Sequence, residues 1–317
     1  MISPSIALIG ARRAHQGLGP FVAKFLAQAG ATIPAFLGTC QANNAQAAAE
    51  LESLAGLTCA GYTDLSALLN EHKVDALAIL SPPGTHADYL RQAVEHGLHV
   101  LCEKPFVLQG RNASEGLEDL LGEFGRAQLL IEENCQWPRL LASYAELFGQ
   151  DSLAAPQRFA MGLSPSAQGV HMGSDSLSHP LSLLQGRDPG PARVSQVRVE
   201  ANGDQGGVRV DFRFQGPTQD LECTIFLEDS PERPRPAWFQ FGSRRADRLI
   251  RASDYAIFLG DGSRQVLAPD PMELHLREFV KNLGRTLSGT APPSTAPILD
   301  RARMLTDLLA AFPQNDS

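Results

Sequence analysis

Two short apolar runs in the first half of this chain end abruptly in residues that suit ligand binding. The run 76–80 stops at Ser81, where two prolines follow and prevent further strand pairing. The run 99–102 stops at the charged pair Glu103 and Lys104. Ligands of an open parallel sheet bind outside the carboxyl ends of its strands. If both runs are buried strands of one such sheet, a binding site lies at that edge.

The pattern of apolar residues divides the chain into two parts. Residues 1–130 alternate short apolar runs with amphipathic helical segments, which is typical of βαβ units around a parallel sheet. Beyond them the apolar residues recur with period two, as in a half-exposed antiparallel sheet. We therefore predict an α/β fold with domains at 1–130 and 131–317, the second being α+β with a mostly antiparallel open sheet. Strands are expected at 5–9, 32–37, 58–61, 76–80, 99–102, 128–132, 158–163, 194–201, 208–214, 221–227 and 238–241, with two closing helices at 271–287 and 295–312.

Composition narrows the classes of function. The chain has 317 residues, of which 43% are apolar and 20% charged, as in an ordinary globular enzyme. A net charge of −8 disfavours binding to nucleic acid or to an anionic membrane, and no stretch approaches the ~18 apolar residues of a membrane span. The five cysteines show neither a disulfide framework nor zinc spacing, so we expect a cytoplasmic protein.

The block around the two strand ends resembles the Gfo/Idh/MocA family, the glucose–fructose oxidoreductase and inositol dehydrogenase group of NAD(P)-dependent oxidoreductases. The resemblance covers the whole chain, more weakly toward both ends. It implies an N-terminal Rossmann domain that binds NAD or NADP, and a C-terminal domain that binds a small-molecule substrate. The matching residues are Ser81, Pro82, His86, Gly97, His99, Val100, Glu103, Lys104 and Pro105, of which Ser81, Pro82, His86 and Glu103 are expected at the cofactor.

Two expectations about packing follow. The resemblance implies that the last helix, 295–312, packs back on the Rossmann domain, and its apolar residues at helical spacing require a core to cover them. The stripe Val208, Val210, Phe212 and Phe214 alternates like a sheet face that meets a partner subunit. We therefore expect a homodimer or homotetramer that associates through the C-terminal sheet.

The loop 10–21 joins the first predicted strand to the first helix and contains Gly10, Gly17 and Gly19. Glycines at this turn let the backbone approach a pyrophosphate at the helix N-terminus. The usual G-x-G-x-x-G is absent, and Gly19 takes the place of its third glycine in a longer loop. We still expect phosphate binding here, because the loop is the first βα turn of the predicted sheet.

The second strand bears on the choice of cofactor. NAD-specific Rossmann domains place a carboxylate about 20 residues beyond the glycines, whereas this strand runs into Thr39 without an acid. Arg12 and Arg13 in the glycine loop can instead bind a 2′-phosphate. We predict NADP in preference to NAD. The alternative is that both arginines are solvated and that hydroxyl groups alone hold NAD.

By resemblance the catalytic residues are Lys104, Asp175 and His179. His179 is the general acid/base, Asp175 orients the substrate, and Lys104 shares a proton with the reacting oxygen. A spacing of four puts Asp175 and His179 on one face of a helix. His171 also lies four residues from Asp175, so it is an alternative acid/base. A metal held by these three residues is a further alternative, but ligands along one helix rarely converge on one ion, and we expect none.

Several residues near these motifs are ambiguous. Leu177 and Ser182 replace a glycine and an aspartate of the family pattern, and Pro180 predicts an irregular helix start. Asn134 and Trp137 follow the sixth predicted strand, where the family often places substrate contacts. Trp137 is either an apolar wall for a ring or part of the core.

These features together predict an oxidoreductase. It would transfer a hydride between NAD(P) and a hydroxyl or keto carbon of a sugar, cyclitol or nucleotide-sugar. Two alternatives remain: a glycosidase of the same fold that uses bound NAD transiently, and a non-catalytic cofactor-binding regulatory protein. The irregular glycine loop and Leu177 favour the regulatory protein, whereas the presence of Lys104, Asp175 and His179 favours an enzyme.

Overall fold

The computed structural model describes residues 3–13, 17–106, 113–154, 156–169, 171–202 and 207–313. The chain forms two compact units, residues 1–134 with 272–298 and residues 135–271 with 299–317. Residues 14–16 of the predicted phosphate loop lie outside the described residues. None of the helices in the described ranges is long and apolar enough to cross a membrane.

The first unit is built on a parallel sheet of strands β1 (Ile6–Ile9), β2 (Ala35–Leu37), β3 (Ala60–Tyr62), β4 (Ala76–Ile79), β5 (His99–Cys102) and β6 (Ile131–Glu133). Their order is β3-β2-β1-β4-β5-β6. Every residue of β1, β4 and β5 is buried, so these strands are continuous apolar runs, as in a sheet covered on both faces. The order reverses between β1 and β4, and Ile9 pairs with Ile79 there. Both strands therefore end side by side at the point where such sheets bind ligands.

The helices that follow these strands are α1 (Gly19–Gln28), α2 (Gln41–Ala55), α3 (Leu65–Glu71), α4 (His86–Glu95) and α5 (Ala113–Arg126). Helix α1 turns its apolar face to the sheet, where Val22, Ala23 and Leu26 join the same buried cluster as Ile6 and Leu8. This packing holds the start of α1 beside the end of β1, as a phosphate-binding turn requires.

The second unit is built on a sheet of strands β7 (Arg158–Leu163), β8 (Arg193–Asn202), β9 (Gly207–Gln215), β10 (Asp220–Leu227), β11 (Ala237–Phe241), β12 (Arg244–Ile250), β13 (Ile257–Gly260) and β14 (Gln265–Ala268). Their order is β14-β13-β12-β11-β7-β10-β9-β8, and all neighbours are antiparallel except β7 and β10. The helices of this unit include α6 (Leu141–Phe148), α7 (His171–Ser176) and α8 (Ser178–Arg187). The predicted fold class is confirmed. Strands β12 to β14 were missed, and in β12 only Ala246 is buried, so apolar alternation is lacking.

Two helices close the chain, α9 (Pro271–Leu287) and α10 (Ala296–Ala310). It is α9 that enters the core of the first unit, through Leu276, Phe279 and Leu283. From residue 299 onward, α10 clusters with the second unit instead. In that unit the end of the chain lies close to Gly173, where a Cβ atom would lie 2.6 Å from the Phe312 ring and 3.1 Å from the Leu309 side chain.

The apolar stripe of β9 faces the interior of the second unit. Val208, Val210, Phe212 and Phe214 are all buried within the single chain, so they are not the subunit contact that we expected. The pleat explains this result, since it turns one side of every strand toward the core. The other side of the sheet, here called the open face, carries Arg158, Arg209, Asp211, Arg213, Glu222, Phe226, Trp238, Arg245 and Asp247.

Candidate functional site

Two glycines shape the turn between β1 and α1. Gly10 has φ +86°, and a Cβ atom there would lie 3.0 Å from the backbone N and Cα of Ser81. Gly19 is the first residue of α1, and its Cβ would lie only 2.1 Å from the carbonyl oxygen of Ala11. Gly17 is half-buried just before the helix. The N–H groups of Gly19 and Phe21, in the first turn of α1, thus lie at the switch point of the sheet, a position that fits the pyrophosphate of a dinucleotide.

Arg12 lies beside the end of β2. Its Nη1 donates to Asn43 Oδ1 at 2.7 Å and to Gln46 Oε1 at 3.3 Å, and Asn43 Nδ2 in turn donates to Thr39 Oγ1 at 2.6 Å. The partners of this guanidinium among the described residues are two neutral amides. A guanidinium held in place by amides keeps its full charge for a phosphate. Arg12, Asn43 and Thr39 therefore form a group that fits the 2′-phosphate of NADP.

Arg13 makes different contacts. Its guanidinium carbon lies 5.0 Å from the centre of the Phe21 ring, and its backbone N–H donates to Glu50 Oε2 at 2.6 Å. The hydrogen-bonded path to Thr39 runs from Arg12. Arg13 therefore contributes to the shape of the loop, through a cation–π contact with α1.

His86 joins the two loops that follow β4 and β5. Its Nε2 lies 2.8 Å from the carbonyl oxygen of Ser81, and its Nδ1 lies 3.3 Å from that of Pro105. Burial lowers the pKa of His86, and the two carbonyl contacts only partly oppose this effect. A neutral ring has one N–H, and the shorter contact places it on Nε2. His86 therefore holds the loop with Ser81 and Pro82 next to the loop that follows β5.

Ser81 is tied to the start of α4. Its hydroxyl lies 2.7 Å from that of Thr85, which donates to the carbonyl oxygen of Pro82 at 2.8 Å. These bonds close the turn that the two prolines open. Since the backbone of Ser81 also lies against Gly10, the loops after β1 and β4 form one surface.

Glu103 and Lys104 follow β5, and their surroundings differ. The side-chain amide of Asn134 donates to the carboxylate of Glu103, and the backbone N–H of Asn134 donates to the carbonyl oxygen of Cys102 at 2.8 Å. Burial raises the pKa of Glu103, while the charge of Lys104 and the bond from Asn134 act against the rise. Lys104 is half-buried next in the chain. Asn134, which we expected at the substrate, thus holds Glu103, and Lys104 is the ammonium group at this edge of the sheet.

Asp175 and His179 lie in the second unit on two successive helices. Asp175 belongs to α7 and His179 to α8, with the break at Leu177, so our expectation that both lie on one face of a single helix was wrong. Pro180 has no N–H to continue the hydrogen-bonding pattern, so the irregular start that we predicted is confirmed. Leu177 is fully buried, so the residue that replaces the family glycine fills the core. Ser182 steadies the first turn of α8, because its hydroxyl donates to the carbonyl oxygen of His179 at 2.8 Å.

The two histidines of this segment differ in surroundings. His171 is exposed at the start of α7, whereas His179 is half-buried, with its ring centre 6.0 Å from that of Trp137. Among the described residues, His, Cys, Asp and Glu form no group of three that could hold a metal ion. These surroundings favour His179 over His171 as the acid/base.

Trp137 lies between His179 and an arginine that the sequence did not single out. It is 4% exposed, packs edge-on against Phe239 with ring centres 6.2 Å apart, and lies 5.4 Å from the guanidinium carbon of Arg248. Trp137 is therefore part of the core and also a neighbour of the proposed acid/base. No pattern pointed to Arg248, because its strand β12 lacks apolar alternation.

Comparisons with known proteins agree with this geometry. The model of a family described as "Oxidoreductase family, NAD-binding Rossmann fold" matches residues 5–121. UDP-N-acetylglucosamine 3-dehydrogenase from Acidithiobacillus ferrooxidans is 37% identical over 223 residues, covering 68% of this chain and 67% of that protein. Shorter matches cover only 20% and 14% of two further relatives, the second being D-xylose 1-dehydrogenase (NADP(+)) 2 from Haloferax volcanii, 52% identical over 44 residues.

Solved structures show the same fold over nearly the whole chain. That of the Acidithiobacillus ferrooxidans dehydrogenase has a TM-score of 0.67 at 19% identity and covers 98% of both chains. A mutant 3-ketoreductase from Actinomadura kijaniata, in complex with TDP-benzene and NADP, has a TM-score of 0.71 at 16% identity and covers 98% of both chains. The two-sheet architecture is therefore shared with nicotinamide-dependent enzymes.

Proposed function

This chain belongs to the Gfo/Idh/MocA family of NAD(P)-dependent oxidoreductases, and from that membership we propose the reaction that it catalyses. The reaction is hydride transfer between a nicotinamide cofactor and a hydroxyl or keto carbon of a sugar, cyclitol or nucleotide-sugar. One observation supports the proposal most strongly: Gly10, Gly19 and Ser81 pack closely at the switch point of the sheet, where a dinucleotide would bind. The chain also has Lys104 and His179, the residues that match the catalytic lysine and histidine of the family.

The proposed roles follow from what an alcohol oxidation needs. NAD(P), when bound, supplies the carbon that accepts or donates the hydride. Lys104 shares a proton with the reacting hydroxyl and stabilises the negative charge that develops on its oxygen. His179 removes or returns the proton, and Asp175 orients the substrate beside it. Trp137 limits the movement of the His179 ring, since the two rings are in contact.

Turnover of single variants tests these roles. UDP-N-acetylglucosamine, D-xylose and myo-inositol are offered with NADP or NAD, and formation of reduced nicotinamide is followed by absorbance. We expect Lys104→Met and His179→Ala each to lower kcat by roughly 10²–10⁴-fold, and the double variant to be scarcely slower than either, because groups that act together are not additive. Cofactor affinity should change far less.

His171→Ala is the discriminating control. It should retain activity, and if it alone abolishes turnover, His171 is the acid/base. Release of a sugar without net reduction of the cofactor would instead support the NAD-assisted glycosidase. Tight cofactor binding without turnover of any sugar would support the regulatory protein.

We further propose that the cofactor is NADP. Arg12 is held at Thr39 by neutral amides, and a charge-assisted hydrogen bond contributes about 1.5–3 kcal/mol, or roughly 10- to 100-fold in affinity. Calorimetric titration should show tighter binding of NADPH than of NADH, and Arg12→Ala should remove the difference. Arg13→Ala, whose guanidinium lies over Phe21, should preserve it. Equal affinities in the unaltered protein would contradict this proposal.

The remaining expectations concern assembly and location. We propose that two copies associate through the open face, where the half-buried rings of Phe226 and Trp238 lie with centres 5.8 Å apart. Sedimentation velocity would test this, and a monomer at micromolar concentration would contradict it. A cytoplasmic location is supported by the five free cysteines. The net charge of −8 supports a small-molecule substrate over nucleic acid.

A further inference from the structure

Arg248 occupies an unusual place for an arginine. It belongs to β12, where its register partners are Ala237 on β11 and Leu259 on β13, both buried. Arg245 and Asp247 of the same strand lie on the open face, so the pleat turns Arg248 toward the covered side of the sheet. A charged side chain on that side needs compensation, because burial removes its hydration.

Compensation for this charge is incomplete. Nη2 of Arg248 donates to the carbonyl oxygen of Arg235 at 3.1 Å, while Nε is buried and has no hydrogen-bond partner within the described ranges. No carboxylate of the described residues lies within ion-pair distance of its guanidinium. Burial accordingly lowers the pKa of Arg248. The residue as a whole is only half-buried, so part of its side chain remains exposed.

The same strand offers a matched contrast. Arg245 also stacks on a tryptophan, with its guanidinium carbon 4.2 Å from the centre of the Trp238 ring. Unlike Arg248, it donates to Asp247 Oδ1 from both Nε and Nη2, at 3.0 and 2.7 Å. Both arginines therefore stack on an indole ring. They differ in that Arg245 has a carboxylate partner, whereas Arg248 has none among the described residues.

Two further arginines stacked on rings of this sheet also have acids. Arg209 lies over Phe226 and pairs with Asp211 at 2.8 Å. Arg251 lies over Phe258 and pairs with Asp254 at 2.6 Å. In helix α8, Arg187 lies over a ring without an ion pair, but the charge of the neighbouring Asp188 acts on it. Of the arginines stacked on rings of this sheet within the described ranges, Arg248 is the one on which no carboxylate acts.

The surroundings of Arg248 connect it to the proposed chemistry. The Trp137 ring contacts both the Arg248 guanidinium and the His179 ring, at 5.4 and 6.0 Å, and all three residues belong to the second unit. A guanidinium binds a carboxylate or a phosphate through two parallel hydrogen bonds, and does so more strongly where water is excluded.

We propose that Arg248 binds an acidic group, a carboxylate or a phosphate, on the substrate whose hydroxyl reacts at His179. The acidic group would supply the carboxylate or phosphate oxygens that Asp247 supplies to Arg245 on the open face. The substrate is then an acidic sugar derivative, either a sugar acid or a sugar that carries phosphate. This inference rests on the proposed oxidoreductase function and narrows its substrate class.

Matched sugars test the proposal on the NADPH-bound protein. D-glucuronate carries a carboxylate, D-glucose 6-phosphate carries a phosphate, and D-glucose is their neutral counterpart. By calorimetric titration, we expect one of the acidic sugars to bind at least tenfold more tightly than glucose, and the tighter one identifies the acidic group. Arg248→Met should reduce that affinity to the level of glucose, and Arg248→Lys, which keeps the charge but not the paired donors, should fall between.

The control variant is Arg245→Met, which removes the stacked arginine of the open face and should leave all three affinities unchanged. The proposal is overturned if neither acidic sugar binds more tightly than glucose, or if a preference survives in folded Arg248→Met. Should Arg248→Met fail to fold, as judged by near-UV circular dichroism, the unaltered protein and Arg248→Lys decide the question by the same comparison.

Hydride transfer separates this proposal from the function on which it rests. If the acidic preference depends on Arg248 but no sugar reduces the nicotinamide, the anion site stands and the oxidoreductase function fails. If acidic and neutral sugars react with equal kcat/KM in both the unaltered protein and Arg248→Met, the function stands and the anion site fails.

Discussion

Replacing Gly19 by alanine tests whether the close packing of the turn between β1 and α1 is needed for dinucleotide binding. The new Cβ would lie 2.1 Å from the carbonyl oxygen of Ala11 and 2.5 Å from its carbon, whereas ordinary contacts begin at 3.4 Å. The start of α1 must therefore retreat by about 1 Å, and such overpacking costs about 1–3 kcal/mol. The helix cannot simply slide away, because Val22, Ala23 and Leu26 anchor it in the core.

Two measurements report this displacement. The midpoint of thermal unfolding should fall by roughly 2–12 °C, given about 2–4 °C per kcal/mol for a domain of this size. The Kd for NADPH, measured by calorimetry, should rise at least about tenfold, because the N–H groups at the start of α1 move away from the phosphates. Gly284→Ala in α9 is the control, since no described atom outside its chain neighbours and the backbone of its own helix lies within 4 Å of the new Cβ. It should stabilise by about 0.5–1 kcal/mol and leave NADPH binding unchanged. A Gly19→Ala protein that melts and binds NADPH like the unaltered one would refute the reasoning.

Two further predictions concern stability. Tyr144→Phe should lower the free energy of unfolding in urea by about 1–3 kcal/mol. The buried hydroxyl donates to the carbonyl oxygen of Arg244 at 2.5 Å and accepts from the N–H of Phe241 at 3.2 Å, and both bonds are lost. An unchanged urea midpoint would contradict these bonds. Burial lowers the pKa of both His86 and His99, so the unfolded chain binds protons more readily and stability should fall as pH drops below about 6.5. Urea unfolding between pH 7 and 5 measures this loss, which should shrink in the variant His86→Gln with His99→Asn.

Local patterns determined much of the first unit. Strands β1, β4 and β5 are buried on both faces and were recognisable as continuous apolar runs, and the residues after them, such as Ser81 and Lys104, marked the ligand edge. Gly19 was identified as the counterpart of the third glycine of the G-x-G-x-x-G motif, and the structure shows the close approach to Ala11 that requires a glycine. Such features depend on a few neighbouring residues, so a single sequence contains them.

Tertiary packing decided which surfaces meet. An apolar stripe must be covered, but its period does not say which element covers it. The sequence therefore assigned the stripe of β9 to a partner subunit, whereas it is buried within the single chain. Arg248 is the clearest case. Its place depends on the register of β12 against β11 and on Trp137, which lies far away in the chain, and neither contact leaves a local signal. The sequence by itself determined the strand types and the cofactor turn. Only the fold brought Arg248, which has no carboxylate partner among the described residues, to the ring that contacts His179, because contacts between distant segments are set by packing and not by periodicity.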